Sequence, residues 1–570
     1  MAARTLTLVG ALALAAMVGA GSPAQSGEPA RAKHYMIATA NPHASQAGLA
    51  MLRRGGSAVD AAIAAQLVLN LVEPQSSGIG GGAFMLAYDA EARAVHAYDG
   101  RETAPAAVTP DLFLTADGEP MGFYDAVIGG RAVGVPGLVA MLEMAHRRHG
   151  RLPWAALFEP AITLAEAGFA VSPRLHQLIA GSKGVDRFDT ARAYFFTAEG
   201  APKPVGTRLF NPAFAATLRA IAAGGAKAFY EGDIADAMVA AIAGAEGNPG
   251  VMTGADLAAY EANDRAAVCR PYRQWRVCGM GPPSSGGVTT LGILGLLEQF
   301  DLAALTPGSV EAVHLISEAS RLAYADRARY LADSDFVAVP VRGLLDRGYL
   351  AERAALINPW ASMGAATAGT PPYDDGMLRA NDPGTEQIST THLSVIDGLG
   401  NAVAMTSSVE SAFGSRLMVR GFMLNNQLTD FSFRSAVDGV AVANRVAPGK
   451  RPRSSMAPTL VFDQEGELLL AVGSPGGSRI IGYVTQVLVA MLDWDLDAQQ
   501  ALDLPHHVNR NGPVDLEAGT ALAGLEVALA SRGHEVRLRK LTSGLHAVAV
   551  TAGGLEGGAD PRREGVALGD

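Results

Sequence analysis

The sequence predicts an α+β fold in which sheets carry helices on their faces. Three observations point that way. Short β-rich runs separated by turn residues gather at 83–98, 391–408 and 459–472. Helical patterns lie between and behind them, near 137–148, 211–223, 232–244 and 310–333. One helical run, 61–71, is apolar nearly all round, as a helix buried inside a layered domain is.

In chain order, the first element is a targeting segment. Arg4 precedes an apolar run over 6–20, and small residues follow that suit cleavage near Ala24. Residues 1–24 therefore read as a secretory signal, with an uncleaved anchor as the alternative. The mature protein is expected to be periplasmic or secreted, with no stable membrane span. A helix over 45–54 ends at Gly55-Gly56, and Ser57 with Asp60 three residues on reads as the cap of the next. The glycine-rich loop at 73–82 runs into a strand and lacks a following Gly-Lys-Ser/Thr. It reads as a packing turn and not a phosphate cradle. Strands follow at 83–88 and 94–98, closed by Arg101-Glu102.

Cys269 and Cys278 are the two cysteines, and the residues between them suit a hairpin. A disulfide fits an oxidising compartment; two free thiols in neighbouring strands is the other reading. No His/Cys cluster accompanies them, so no metal site is expected. Residues 358–384 are rich in Ala, Gly, Pro and Asp without a period. A loop of that length is functional or disordered. This one leads directly to Ser389-Thr390, as a segment to be cut would.

Beyond it, Thr391–Ile396 and a run over 401–408 form a hairpin through 397–400. Strands are expected at 459–463 and 468–472. Helices follow over 479–493, near Ala498 and over 522–532, and strands at 536–539 and 547–551 finish the chain. Across all 570 residues, 49% are hydrophobic and 18% charged, which supports a large core and argues against global disorder. The net charge of −11 argues against a nucleic-acid partner.

Three polar blocks in the last third carry candidate chemistry. Gly473-Ser474-Pro475-Gly476-Gly477-Ser478-Arg479 joins a strand to a helix, so its backbone N–H groups suit an anion or oxyanion; a plain strand–helix turn is the alternative. Ser454 and Ser455 lie between prolines before a strand and can donate to a carboxylate. In Leu424–Phe431, Asp430 can accept from an ammonium group. A solvated loop and a turn aspartate are the bland readings of these two blocks.

Together these blocks resemble the γ-glutamyltranspeptidases (glutathione hydrolases), a family of N-terminal-nucleophile hydrolases. The resemblance runs from about Ala38 to Asp570. It includes Asp60-Ala61-Ala62, the glycine loop, Arg101-Glu102, residues 281–287, Thr390-Thr391-His392, Leu424–Asp430, residues 451–458 and Gly473–Arg479. It implies a four-layer αββα sandwich built from both chains of a self-cleaved precursor. The signal would be 1–24, the large chain 25–389 and the small catalytic chain 390–570, the two forming a heterodimer.

The implied activity is that of a γ-glutamyltransferase and glutathione hydrolase, with a small-molecule γ-glutamyl substrate and no cofactor. Thr390 would cut the Ser389–Thr390 bond and then serve as nucleophile. Its freed α-amine, ordinarily near pKa 7.7–8.0, would take the hydroxyl proton. By the same resemblance Ser408 would hydrogen-bond the nucleophile, and Gly476 and Gly477 would form the oxyanion hole. Arg101, Ser454 and Ser455 would bind the α-carboxylate, the arginine as a bidentate clamp. Gln427 and Asp430 would hold the α-ammonium. His392 reads as structural.

Two departures from the family pattern stand out. Glu410 occupies a position near the ammonium pocket where many members carry asparagine. The segment between Asp430 and Arg451 is short and lacks a tyrosine, which implies a short or absent lid. An acylase for glutaryl or other amides is the alternative reading. A non-catalytic exported relative is a third, opposed by the intact Thr390, Ser408, Gly476, Gly477 and Arg101.

Overall fold

A computed structural model describes residues 27–382, 384 and 389–570. The expected signal segment lies outside these residues. Two seven-stranded antiparallel sheets form the centre. The first runs Val566–Gly569, Met36–Thr39, Thr391–Ile396, Ala402–Ser408, Gly82–Asp89, Ala94–Gly100 and Asn263–Ala266. The second runs Ala30–Ala32, Gly554–Ala559, His546–Thr551, Leu468–Gly473, Thr459–Phe462, Trp275–Gly279 and Val268–Tyr272.

Side-chain alternation decides what each face meets. In strand Gly82–Asp89, Phe84, Leu86 and Tyr88 point into the core shared with the second sheet. Ala83, Met85 and Ala87 point into the core filled by helices Pro42–Arg53 and Ala58–Val72. Helices Gly286–Leu297, Val310–Tyr330 and Ile480–Leu492 contribute to the core on the second sheet's side. The order is helix, sheet, sheet, helix, the αββα arrangement expected.

The parts before and after Thr390 are interleaved. Strand Thr391–Ile396 pairs with Met36–Thr39 on one side and Ala402–Ser408 on the other. In the second sheet Thr459–Phe462 pairs with Trp275–Gly279, and Gly554–Ala559 with Ala30–Ala32. A cut at Thr390 would leave all of these ladders intact.

Most expected elements are present. Ser57 and Asp60 form a full capping box on helix Ala58–Val72. The glycine loop is a packing turn: a Cβ on Gly81 would lie 2.2 Å from the carbonyl oxygen of Ser408. Cys269 and Cys278 sit opposite each other in a hairpin and are disulfide-bonded, which settles the two readings left open. Among the described residues no helix is long and apolar enough to cross a membrane.

Three expectations are corrected, and one expected strand is present but lies apart from the two central sheets. The helix expected from Ser45 starts at Pro42, because Asn41 accepts from the His43 N–H and caps it. The helix over 522–532 is a 3-10 turn, Ala521–Leu525, followed by a short α-helix, Glu526–Ser531. The strand Val536–Arg539 belongs to a separate three-stranded sheet with His507–Asn509 and Val514–Glu517. The chain does not finish at 551: Gly554–Ala559 and Val566–Gly569 follow, and each fills a place beside an N-terminal strand. Three glycines hid the first, since glycine is a poor strand former, and the second is only four residues long.

Candidate active site

The register of the central hairpin builds the site. Thr391 pairs with Ser407, so one step back Thr390 faces Ser408. Thr390 Oγ1 donates to Ser408 Oγ at 3.3 Å, and the Glu410 N–H donates to the same Ser408 oxygen at 2.8 Å. Thr390 is gripped on both sides. Ser389 Oγ donates to the Gln75 carbonyl at 2.6 Å, and Arg563 Nη1 donates to the Thr390 carbonyl at 2.9 Å. Thr390 has φ +121°, a conformation that a β-branched residue adopts only under constraint.

One pocket gathers Thr390, Ser408, Arg101, Glu410, Gln427, Asp430, Ser454, Ser455 and Gly477, together with Met456 and Ile480. Gly476 and Gly477 lead the 3-10 turn Gly477–Arg479 into helix Ile480–Leu492. Amides at that end have no intrahelical acceptor. Their φ angles of +140° and +59° are ones that glycine adopts without a Cβ penalty.

Arg101 corrects an expectation. Its Nε donates to the Pro452 carbonyl at 3.0 Å. Its Nη2 donates to Asp430 Oδ2 at 2.5 Å and to the Arg453 carbonyl at 3.0 Å. The outer edge of the fork is therefore occupied by the protein, which leaves Nη1, itself 3.8 Å from Glu102 Oε2, and not a bidentate edge for a ligand. Gln427 and Asp430 lie on one 3-10 turn, and Gln427 Nε2 donates to Asp430 Oδ2 at 2.8 Å. Gln427 Oε1 is buried with no hydrogen-bond partner among the described residues. Glu410 Oε2 accepts from Asn426 Nδ2 at 2.5 Å. The pocket thus sets one guanidinium among two carboxylates and an amide oxygen.

Buried groups around it are tuned by desolvation. Burial pushes the Glu102 carboxyl up to about 8, against the opposing pull of Arg101. Burial, and then His546, holds His392 well below the usual imidazole range. His392 pairs with Thr406 and Ser394 between the sheets. It is structural, as expected.

The segment 431–450 forms a small hairpin, Ala436–Val437 with Val440–Ala441. Asn444 Nδ2 ties its return arm to the Asp430 carbonyl at 2.7 Å. No residue of this segment lines the pocket.

Residues 44–570 match the gamma-glutamyltranspeptidase family model. The chain belongs to the γ-glutamyltranspeptidase family. It is 36% identical over 549 residues to the glutathione hydrolase proenzyme of Escherichia coli (strain K12), covering 94% of this chain and 91% of that one. It is also 36% identical over 547 residues to the acylase ACY 1 proenzyme of Pseudomonas sp. (strain SE83), covering 94% of each. Among solved structures, cephalosporin acylase from Bacillus halodurans superposes with a TM-score of 0.83 at 29% identity, over 96% of this chain and 99% of that one.

In this γ-glutamyltranspeptidase-family chain, one group of three possible metal ligands occurs among the described residues: His314, Glu318 and His534. Their atoms serve each other. His314 Nδ1 and His534 Nε2 are 2.7 Å apart, His314 Nε2 meets the Asn358 carbonyl, and Arg321 Nη2 lies 3.2 Å from His534 Nδ1. A cation there would face that guanidinium.

Met456 and Asn426 lie inside blocks that were singled out and Ile480 directly follows one, but none of the three was given a role. Arg563, far from any such block, carried no local signal.

Proposed function

We propose that this protein is a self-processing γ-glutamyl hydrolase and transferase acting on glutathione and related γ-glutamyl amides. The observation that carries the reading is the single pocket, where the nucleophile, an oxyanion turn and both halves of an amino-acid clamp converge. In the precursor, Thr390 Oγ1 attacks the Ser389 carbonyl carbon and the C–N bond breaks. The resulting ester is hydrolysed, leaving a carboxylate on Ser389 and an α-amine on Thr390. The constrained φ at Thr390, of a kind that costs about 1–3 kcal/mol, supports this step, because cleavage releases it.

The free amine then takes the Thr390 hydroxyl proton as the oxygen attacks the γ-carbonyl of the substrate. The N–H groups of Gly476 and Gly477 receive the developing oxyanion. The leaving amine departs with the proton, and a γ-glutamyl ester remains on Thr390. Water, or the amine of an amino acid or dipeptide, releases it. Arg101, Ser454 and Ser455 face the α-carboxylate, and Gln427, Asp430 and Glu410 the α-ammonium. The large chain 25–389 and small chain 390–570 remain joined by the shared ladders. The apolar segment at 6–20 supports export, and the Cys269–Cys278 disulfide fits an oxidising compartment.

The second reading is a glutaryl or β-lactam acylase, favoured by the match to cephalosporin acylase. A glutaryl group lacks the α-ammonium. Two buried carboxylates, Glu410 and Asp430, would then face an uncharged carbon, at a desolvation cost. The geometry therefore supports the γ-glutamyl donor better. The test is purification, N-terminal sequencing of the small chain, and comparison of γ-glutamyl with glutaryl anilide. A small chain starting at Thr390 and preference for the γ-glutamyl anilide are expected. A single uncut, inactive band would refute the enzyme, and exclusive glutaryl turnover would transfer the assignment to the acylase.

A further inference from the structure

Helix Val310–Tyr330 precedes the cut, yet two of its side chains reach the half of the pocket that follows it. Tyr324 and Arg327 lie three residues apart and so share a face. The Tyr324 hydroxyl donates to the Ser478 carbonyl, next to the glycine turn. Arg327 Nη2 donates to Ser455 Oγ at 2.8 Å, and its Nε donates to Ser285 Oγ at 2.9 Å. Ser285 Oγ donates in turn to the Ser454 carbonyl at 2.6 Å.

The direction of these bonds has a consequence. A guanidinium carries only donors. Ser455 Oγ therefore accepts from Arg327, and its own hydrogen must point elsewhere. Ser454 Oγ is in the same position, since it accepts from the Met456 N–H at 3.1 Å. Both hydroxyls line the pocket, whereas Arg327 does not. Each serine has a lone pair committed to a fixed donor behind it and an O–H left to donate forward. Two convergent O–H donors suit the two oxygens of a carboxylate.

We infer that Arg327 is a positioning residue for α-carboxylate recognition, holding the Ser455 hydroxyl with its hydrogen directed into the pocket. The inference rests on the proposed carboxylate role of Ser454 and Ser455. Arg327 comes from before the cut and Ser455 from after it, so the subsite is complete only when both chains are present.

The test is a double-mutant cycle of Arg327→Met and Ser455→Ala in the matured enzyme. Two donors are compared: γ-glutamyl anilide, and 4-aminobutyryl anilide, which keeps the ammonium and lacks the carboxylate. Arg327→Met is expected to raise KM for the γ-glutamyl anilide about tenfold, the scale of one hydrogen bond to a charged group. Its kcat should stay within about twofold, and the 4-aminobutyryl anilide should be unaffected. In the Ser455→Ala background, Arg327→Met should change KM less than about twofold. Arg327→Lys should recover part of the loss.

Equal effects on both anilides, or full additivity with Ser455→Ala, would overturn the role. So would failure of both Arg327 variants to mature, because a structural role would then account for the residue. Wild-type enzyme inactive on γ-glutamyl anilide would instead refute the underlying functional reading.

Discussion

Replacing Arg101 by lysine keeps the charge and removes the fork. The structure gives three contacts that lysine cannot reproduce together: Nε to the Pro452 carbonyl, and Nη2 to Asp430 and to the Arg453 carbonyl. A lysine ammonium is one point, and Asp430 will draw it. The substrate carboxylate then loses the Nη1 contact, a hydrogen bond between charged groups that contributes roughly 1.5–3 kcal/mol. At 1.4 kcal/mol per tenfold, KM for a γ-glutamyl anilide should rise roughly 10- to 100-fold. The carboxylate is held equally in the ground and transition states, so kcat should change much less. The assay is steady-state kinetics on Arg101→Lys enzyme that denaturing gels show to be matured. That check matters because the buried Pro452 and Arg453 carbonyls lose their donor, at about 1–3 kcal/mol each. An unchanged KM with a fall confined to kcat would refute the carboxylate role.

Thr390→Ala should abolish both maturation and turnover, because one hydroxyl serves both; a variant that still splits into two chains on a gel would contradict it. Glu410→Gln should raise KM for γ-glutamyl anilide roughly tenfold, as a charged partner of the ammonium becomes neutral, and should lower it for glutaryl anilide, which no longer faces that buried carboxylate. Equal shifts for the two donors would show that Glu410 does not contact the ammonium. Glu102→Gln should alter the pH dependence of stability. The native Glu102 carboxyl keeps its proton up to about 8, whereas the unfolded chain loses it near 4.5. Wild type therefore loses stability as pH rises through that window, by up to about 1.4 kcal/mol per pH unit, and the glutamine variant lacks this loss. Denaturant unfolding of both proteins across the window checks it; parallel curves would mean Glu102 is already ionised in the native state.

Much of the fold was legible because its signals are local. The Ser57–Asp60 capping box, the hairpin through 397–400 and the glycine turn before helix Ile480–Leu492 are each written within about ten residues. The strands over 554–559 and 566–569 were not legible. Three glycines oppose strand propensity in the first, which folds back on His546–Thr551 as a hairpin, and the second is only four residues long and takes the edge beside Met36–Thr39.

The same division holds in the site. The sequence by itself singled out Thr390, Ser408 and the two polar blocks as candidates, because each block that carries the family resemblance is written within a short span of chain. Only the tertiary structure decided how those groups are aimed. Arg101 is turned by the carbonyls of Pro452 and Arg453, Ser455 by Arg327, and Thr390 by Arg563. These partners lie more than a hundred residues apart in the chain, and hydrogen-bond direction depends on where folding places each donor. No local pattern of residues encodes that.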